Sequence, residues 1–279
     1  MMVNLNGTLL SGASPSLTAD NRGFLYGDAV FETIKHTGQK ALFLEDHYFR
    51  LMASMRIFGM EIPLEFTLDF FEQEFLRTIK GQSVTAPAWR VRLTVYRAEG
   101  GRYMPVNNNV NFLIQSEPLD QLKYPQPNDN YVVDLYKEFY VQASMLSNLK
   151  SNNKALQVLG SVFAQRQDLQ NCILINDRKE VTEALNGNIF LVFGNELHTP
   201  PLNAGCLDGI MRKQLMAMAD KLSLKVEERA ITPFELQRAD ELWVTNTITG
   251  ITPVVQYRRK TYQNQVAIKA LDLLNTFVA

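Results

Sequence analysis

In the N-terminal part of the chain the apolar positions change period several times, and each change marks an element. Val3-Asn4-Leu5 and Thr8-Leu9-Leu10 flank Asn6-Gly7, a pair that favours the left-handed backbone of a type I′ turn, so a hairpin is expected there. A second hairpin is expected from Ala29 to Leu44: Val30, Phe31, Thr33 and Ile34 lead into the turn residues Thr37-Gly38, and Ala41 to Leu44 follow. Residues 45–58 switch to a helical period through Tyr48, Leu51, Met52, Met55 and Phe58, and Phe66, Phe70, Phe71 and Phe75 predict another helix over 66–79. Trp89, Val91, Leu93 and Val95 alternate as in a half-buried strand, which Gly100-Gly101 turns toward a strand at Val110 to Ile114.

The stretch 116–129 holds three prolines and few apolar residues, so it reads as an interdomain linker between residues 1–115 and 130–279. Beyond it, Tyr131 to Leu135 predicts a strand, and Leu156, Leu159, Val162 and Phe163 predict a helix beginning near Lys154. Strands are expected at 172–176, 180–183, 188–193 and 196–199, with a turn at Gly194-Asn195. A helix over about 208–222, strands at 224–228 and 241–246 around a short helix at 233–238, and a terminal helix through Ile268, Leu271, Leu274 and Phe277 complete the chain. Hairpins and helices in separate runs point to an α+β fold rather than a regular βαβ series.

Composition changes this picture little. The chain has 279 residues, 46% hydrophobic and 20% charged, with a net charge of −1, so no global field recruits nucleic acid or an anionic membrane. No apolar run approaches the roughly 18 residues needed to span a bilayer, and the N-terminus lacks a basic stretch followed by an apolar one. A cytoplasmic protein is expected. Cys172 and Cys206 lie far apart and fit neither a zinc knuckle nor a disulfide framework; reduced, buried thiols are the ordinary reading.

The chain has no phosphate loop with Gly-Lys, no dinucleotide fingerprint and no Gly-x-Ser-x-Gly elbow, and His36, His47 and His198 have no metal spacing to one another. Three segments carry more. Leu149-Lys150-Ser151-Asn152-Asn153-Lys154-Ala155 runs from a polar loop into an apolar helix; a lysine there is either solvated or a desolvated nucleophile. Cys206-Leu207-Asp208-Gly209-Ile210 places a glycine at a helix entry, either an ordinary transition or a phosphate site built on free backbone N–H groups. Val244-Thr245-Asn246-Thr247-Ile248-Thr249-Gly250 clusters hydroxyls where a strand ends, which suits phosphate donors or simply a threonine-rich strand.

Together these segments resemble the class IV aminotransferases, the fold-type IV enzymes that use pyridoxal 5′-phosphate (PLP). The likeness runs from Arg22-Gly23-Phe24-Leu25-Tyr26-Gly27-Asp28-Ala29-Val30-Phe31-Glu32-Thr33 to Ile251-Thr252-Pro253. It implies a two-domain D-amino-acid aminotransferase-like α+β fold, with a smaller N-terminal α/β domain and a larger PLP-binding C-terminal domain, in a homodimer acting on a small amine. By the same resemblance Lys154, in Lys154-Ala155-Leu156-Gln157-Val158-Leu159-Gly160, matches the lysine that forms the Schiff base with the cofactor. Lys150 competes for that role, at the cost of four extra residues before the helix. Glu183 matches the acid that pairs with the pyridine nitrogen, and Arg50 matches the phosphate-gripping arginine. Gly209, Ile210 and Thr247 match the rest of the phosphate cup, with Ile248 as a backbone donor and Asn188 as a polar neighbour.

The reaction is less determined. Tyr96-Arg97-Ala98-Glu99-Gly100-Gly101-Arg102-Tyr103 has no histidine, unlike the corresponding loop of D-amino-acid aminotransferases, and looks more like that of 4-amino-4-deoxychorismate lyases. Thr33 stands where branched-chain enzymes usually have glycine, and its position matches a family hydroxyl near the substrate. The resemblance therefore implies a folate-pathway lyase that forms 4-aminobenzoate and pyruvate, with Lys154 and Thr33 as catalytic residues and Tyr26, Phe31, Arg97 and Arg102 toward the substrate. An amino-acid transaminase, branched-chain L before D, is the alternative, and a non-catalytic PLP-binding relative is the third reading.

Overall fold

Asn6 and Gly7 take φ of 49° and 81°, the left-handed pair that a two-residue hairpin requires. In the computed structural model, which describes residues 1–12 and 17–278, they join β1 (Met2–Leu5) to β2 (Thr8–Ser11). A short helix α1 (Arg22–Tyr26) follows, its first turn capped by the Asn21 side chain and closed by Gly27 at φ 65°. Then come β3 (Ala29–His36), α2 (Leu44–Ile57), α3 (Leu68–Lys80), β4 (Ala88–Arg97) and β5 (Val110–Leu119). The strands form one antiparallel sheet in the order β2-β1-β5-β4-β3.

One face of this sheet packs on the two helices. The apolar halves of β3 and β4 (Val30 and Ile34; Val91, Leu93 and Val95) meet Leu51, Met55, Phe71 and Phe75 in a single buried cluster. The period-2 and period-3.6 patterns are thus two sides of one core. Thr67 caps α3 by accepting from the Phe70 N–H, as expected for a threonine just ahead of an apolar helical run.

Two expectations are trimmed in this region. The hairpin expected over 29–44 is short: the Thr37 N–H donates to the Lys40 carbonyl, the Leu42 N–H to the Lys35 carbonyl, and His36 bridges Ala41, while β3 pairs along its whole length with β4. Leu44 already begins α2, which keeps the return to a few residues. The linker expected at 116–129 starts too early, because β5 continues to Leu119. Pro118 is tolerated there because β1 pairs only as far as Gln115, so its missing N–H faces no neighbouring strand.

The chain divides into two compact units: Met1–Leu122 with Lys150–Asn153 and Val278, and Lys123–Leu149 with Lys154–Phe277. The second contains β6 (Val132–Val141), α4 (Ala155–Arg166), β7 (Asn171–Asn176), β8 (Val181–Ala184), β9 (Gly187–Phe193) and β10 (Glu196–Thr199). It continues with α5 (Ile210–Met218), β11 (Lys225–Glu228), β12 (Glu241–Asn246), β13 (Gly250–Pro253), β14 (Gln256–Tyr257), β15 (Lys260–Thr261) and α6 (Gln265–Asn275). Its sheet runs β11-β10-β9-β8-β7-β6-β14-β15, with β12 also pairing β9 and β13 pairing β12. β6 and β7 are parallel, so α4 is the crossover between them.

Of the apolar stripe expected on α4, Leu156 and Phe163 pack on the core while Leu159 and Val162 are exposed. Gly160 and Ala164 are the buried positions, while Val158 is 60% and Leu159 45% exposed. A Cβ at Gly160 would fall 2.4 Å from Leu185 Cδ2, so the helix seats itself through small residues. At α6 the acceptor for the first-turn amides is Glu241, which takes the N–H groups of Val266 and Ala267. No helix among the described residues is long and apolar enough to cross a membrane.

Candidate active site

In the second unit the β8–β9 hairpin sets Glu183 directly opposite Asn188. Both side chains are buried, and both hold Leu207: its N–H donates to Glu183 Oε2 at 2.9 Å, and its carbonyl accepts from Asn188 Nδ2 at 2.8 Å. Gln157 of α4 reaches Glu183 Oε1 at 3.5 Å. The clamp on Leu207 fixes where α5 begins. Gly209 is the residue before its first turn, with no side chain capping the amides, so the helix presents its positive end at this point. A Cβ at Gly209 would lie 1.9 Å from Asn188 Oδ1, so a glycine is required there by close approach.

The 202–208 loop is organised by Asn148, whose amide donates to the carbonyls of Leu202 and Cys206, and whose own carbonyl accepts from the Asp208 N–H. Nothing in the sequence singled Asn148 out, since asparagine in a polar loop is unremarked without its partners. Thr247 and Ile248 follow β12. The N–H of Ile248 and that of Thr249 both donate to Asn246 Oδ1, at 3.0 and 2.9 Å. A short loop after a strand end satisfies its own amides first.

Lys154 is the residue that precedes α4, half-buried, with φ −118° and ψ 21°. Lys150 stands differently. In the first unit the Phe31 N–H donates to the Lys150 carbonyl at 2.8 Å and the Asn152 N–H to the Ala29 carbonyl at 3.0 Å, so the segment is laid along β3. The Lys150 ammonium lies 4.5 Å from the Phe31 ring centroid. Residues 151–154 connect this strand-like segment to α4.

Arg50 lies on α2 and is only 11% exposed at its side chain. Its Nε donates to Glu32 Oε1 at 2.8 Å and its Nη2 to Glu32 Oε2, while His47 Nδ1 meets the same Oε2 at 2.6 Å. Burial pushes the Glu32 carboxyl up, but Arg50 and then His47 overcome it and hold it at about 2. Burial also pushes the His47 ring below its ordinary value, with Glu32 opposing and the charges of Arg50 and Lys150 adding to the fall. Glu32 was not identified from sequence. A charged residue on the core-facing parity of a buried strand was the available signal.

On the other face of β3, Phe31 and Thr33 share one side by strand alternation. Arg92 of β4 pairs in register with Thr33, and its guanidinium lies 3.8 Å from the Phe31 ring centroid. It donates to Thr94 Oγ1 and Asn152 Oδ1 at 3.3 and 3.2 Å and makes no ion pair among the described residues. Alternation with core residues made Arg92 look solvent-facing in the sequence.

Arg97 is engaged by several acceptors. It is 6% exposed and spent: Nε donates to Asp28 at 2.8 Å, Nη1 to the Gly59 carbonyl and Asn108, and Nη2 to the Phe58 carbonyl. Arg22 donates to the same Asp28 oxygen and to the carbonyls of Gly100 and Arg102. These arginines tie the 98–109 connection to the sheet end. Arg102 is exposed. Tyr26 packs on Tyr103, ring centroids 5.6 Å apart, beside a cavity of about 280 Å³ that Arg97 and Asp28 also line.

β10 and β11 bring Glu196, His198 and Glu227 together, with ligand atoms within 4.8 Å of one another. Arg229 Nε donates to His198 Nδ1 at 3.0 Å. Since a guanidinium can only donate, Nδ1 accepts and the neutral ring carries its proton on Nε2, toward Glu196 at 3.1 Å. In that tautomer the one ring lone pair, on Nδ1, is already engaged by Arg229. Cys172 and Cys206 are free and buried, and burial pushes the Cys206 thiol up to about 12.

A family model described as amino-transferase class IV matches residues 29–257. A Thermotoga maritima protein named as a branched-chain-amino-acid aminotransferase is 30% identical over 233 residues, 81% of this chain and 76% of its own. The branched-chain aminotransferase of Thermoproteus uzoniensis, solved with norvaline, superposes with a TM-score of 0.89 at 25% identity over 100% of this chain and 94% of its own. A Legionella pneumophila structure named for 4-amino-4-deoxychorismate lyase gives 0.84 at 23% identity, over 95% and 97%.

Proposed function

The chain belongs to the class IV aminotransferases, which are PLP enzymes of fold type IV, and from that premise we propose that it cleaves 4-amino-4-deoxychorismate to 4-aminobenzoate and pyruvate. The cofactor suits the second unit's own groups. The uncapped start of α5, held open by the Gly209–Asn188 approach, suits a phosphate dianion. The buried Glu183 carboxylate suits a protonated ring nitrogen, where its charge keeps that proton in place. When bound, PLP supplies a conjugated ring that withdraws the electron pair left at an amine-bearing carbon.

Lys150 is assigned the amine role in place of Lys154. Its support is threefold: two backbone hydrogen bonds fix its segment, its ammonium is seated over Phe31, and its charge is felt at His47 beside Arg50. Lys150 Nζ takes the proton from the amine-bearing carbon of the substrate. Arg50, aimed by Glu32, is the phosphate-binding guanidinium, and Arg92 takes over from Arg97 as the residue that holds a substrate carboxylate.

The observation that carries the lyase reading is the face shared by Phe31, Thr33 and Arg92. It offers a flat ring, a hydroxyl and an unpaired guanidinium, which match a cyclic substrate bearing carboxylates. A transaminase is the second reading, favoured by the branched-chain relatives; there Lys150 Nζ would make the same abstraction and hold that proton for redelivery. Incubation of the purified enzyme with aminodeoxychorismate and no keto acid, following both products, separates the two. Stoichiometric 4-aminobenzoate and pyruvate support the lyase. Turnover only with an amino acid and a keto-acid acceptor replaces it with the transaminase.

A further inference from the structure

The second unit also contains a cavity of about 400 Å³, lined among others by Leu135, Lys137, Tyr140, Lys179, Phe234 and Arg258. None of these residues has a role in the reaction above. β6 bulges beside this cavity. Its pairing with β7 passes from Tyr136 opposite Leu174 to Val141 opposite Asn176, so the excess residues, Lys137 and Tyr140 among them, leave the ladder, and bulges re-aim side chains in this way.

Two tight turns complete the rim. Lys179, between β7 and β8, and Arg258, between β14 and β15, both take left-handed backbone, at φ 64° and 55°, a conformation that residues with long side chains rarely adopt. Three cations from three separate segments therefore line one cavity in a chain whose net charge is −1. Lys137 and Lys179 pair with no carboxylate among the described residues, and the Lys179 ammonium instead lies 3.6 Å from the Tyr140 ring centroid. Arg258 shares Asp134, at 3.2 Å. The floor is apolar, from buried Leu135 and Ile175, and Phe234 stands beside it 66% exposed.

We propose that this cavity binds a small phosphomonoester with a flat apolar body. The phosphate sits among Lys137, Lys179 and Arg258, and the body lies on Leu135 and Ile175 against Phe234. Two unmatched positive charges, with a third half-matched, fit the charge of about −2 that a phosphomonoester carries near neutral pH, and its several oxygens can meet donors arriving from different directions. A single carboxylate would leave one cation unmatched. The volume is within the roughly 300–1,000 Å³ range of small-molecule sites.

The test is calorimetric titration of the PLP-loaded enzyme with AMP, adenosine and inorganic phosphate. AMP is expected to bind with Kd below about 1 mM, with adenosine and inorganic phosphate each at least about tenfold weaker. Lys179→Asn, which suits the left-handed turn and so protects the fold, and Arg258→Ala should each weaken AMP at least about tenfold while leaving basal turnover unchanged. Equal affinity for AMP and inorganic phosphate would mean an adventitious ion only, and would overturn the proposal. So would AMP binding that neither substitution changes, or no AMP binding at all.

Discussion

On the face of the five-stranded sheet that packs against α2 and α3, every buried charge described above is matched inside the fold. Glu32 is met by Arg50 and His47, and Arg97 by Asp28 and three further acceptors. On the opposite face Arg92 rests on Phe31 and, among the described residues, bonds only to neutral side chains. β4 carries both arginines, five positions apart. The difference teaches that an arginine's role depends less on its strand than on whether its donors are already committed, because a guanidinium with acceptors in place gains little by exchanging them for a ligand.

The largest effect expected from breaking this comparison is at the two lysines. Lys150→Ala should lower turnover by roughly 10²–10⁴-fold and abolish the visible absorbance of the covalently held cofactor. Lys154→Ala should stay within about tenfold of wild type, a change below about 1.4 kcal/mol. The reverse result would return the amine role to Lys154.

Next come the arginines. Arg97→Ala leaves half-buried Asp28 with Arg22 as its remaining cation and should destabilise by about 1–3 kcal/mol, seen as a lower midpoint in thermal melts. Arg92→Ala should leave the melt within about 0.5 kcal/mol but raise KM for the carboxylate substrate by about 10²-fold, the scale of a lost charge-assisted bond. A melt that falls as far for Arg92 as for Arg97 would erase the distinction between the faces.

Acid should sharpen it. The Glu32 carboxyl falls from 4.5 to about 2 in the folded protein, so its contribution is complete above about pH 4.5 and is lost as pH falls toward 2. The scale is about 3 kcal/mol. His36, buried and pushed from 6.5 to about 4, acts at higher pH: its contribution is complete above about 6.5 and is lost as pH falls toward 4. Melts of wild type and Glu32→Gln between pH 5 and 3 should differ in acid slope, and parallel slopes would remove Glu32 as the cause. The smallest effect is expected in the second unit, where Gly209→Ala drives a Cβ toward Asn188 Oδ1. A cost of about 1–3 kcal/mol should appear mainly as weaker PLP retention on dialysis.

What the chain determined by itself was the periodic part. The phenylalanines of α3 and its Thr67 cap, the alternation of β4, and the Asn6-Gly7 turn are patterns within a few residues, and backbone geometry alone reads them. The family likeness and the cofactor followed from motifs in fixed order. Tertiary structure decided the rest. The partner of β3 along its whole length is β4, and Pro118 lies within a strand. The Lys150–Asn152 segment is laid along β3, and Arg97 is committed to acceptors in the fold where Arg92 makes no ion pair among the described residues. Each of these depends on acceptors and strands tens of residues away. Periodicity records which way a side chain points, but whether its polar atoms are already satisfied is settled only by what the fold brings against them.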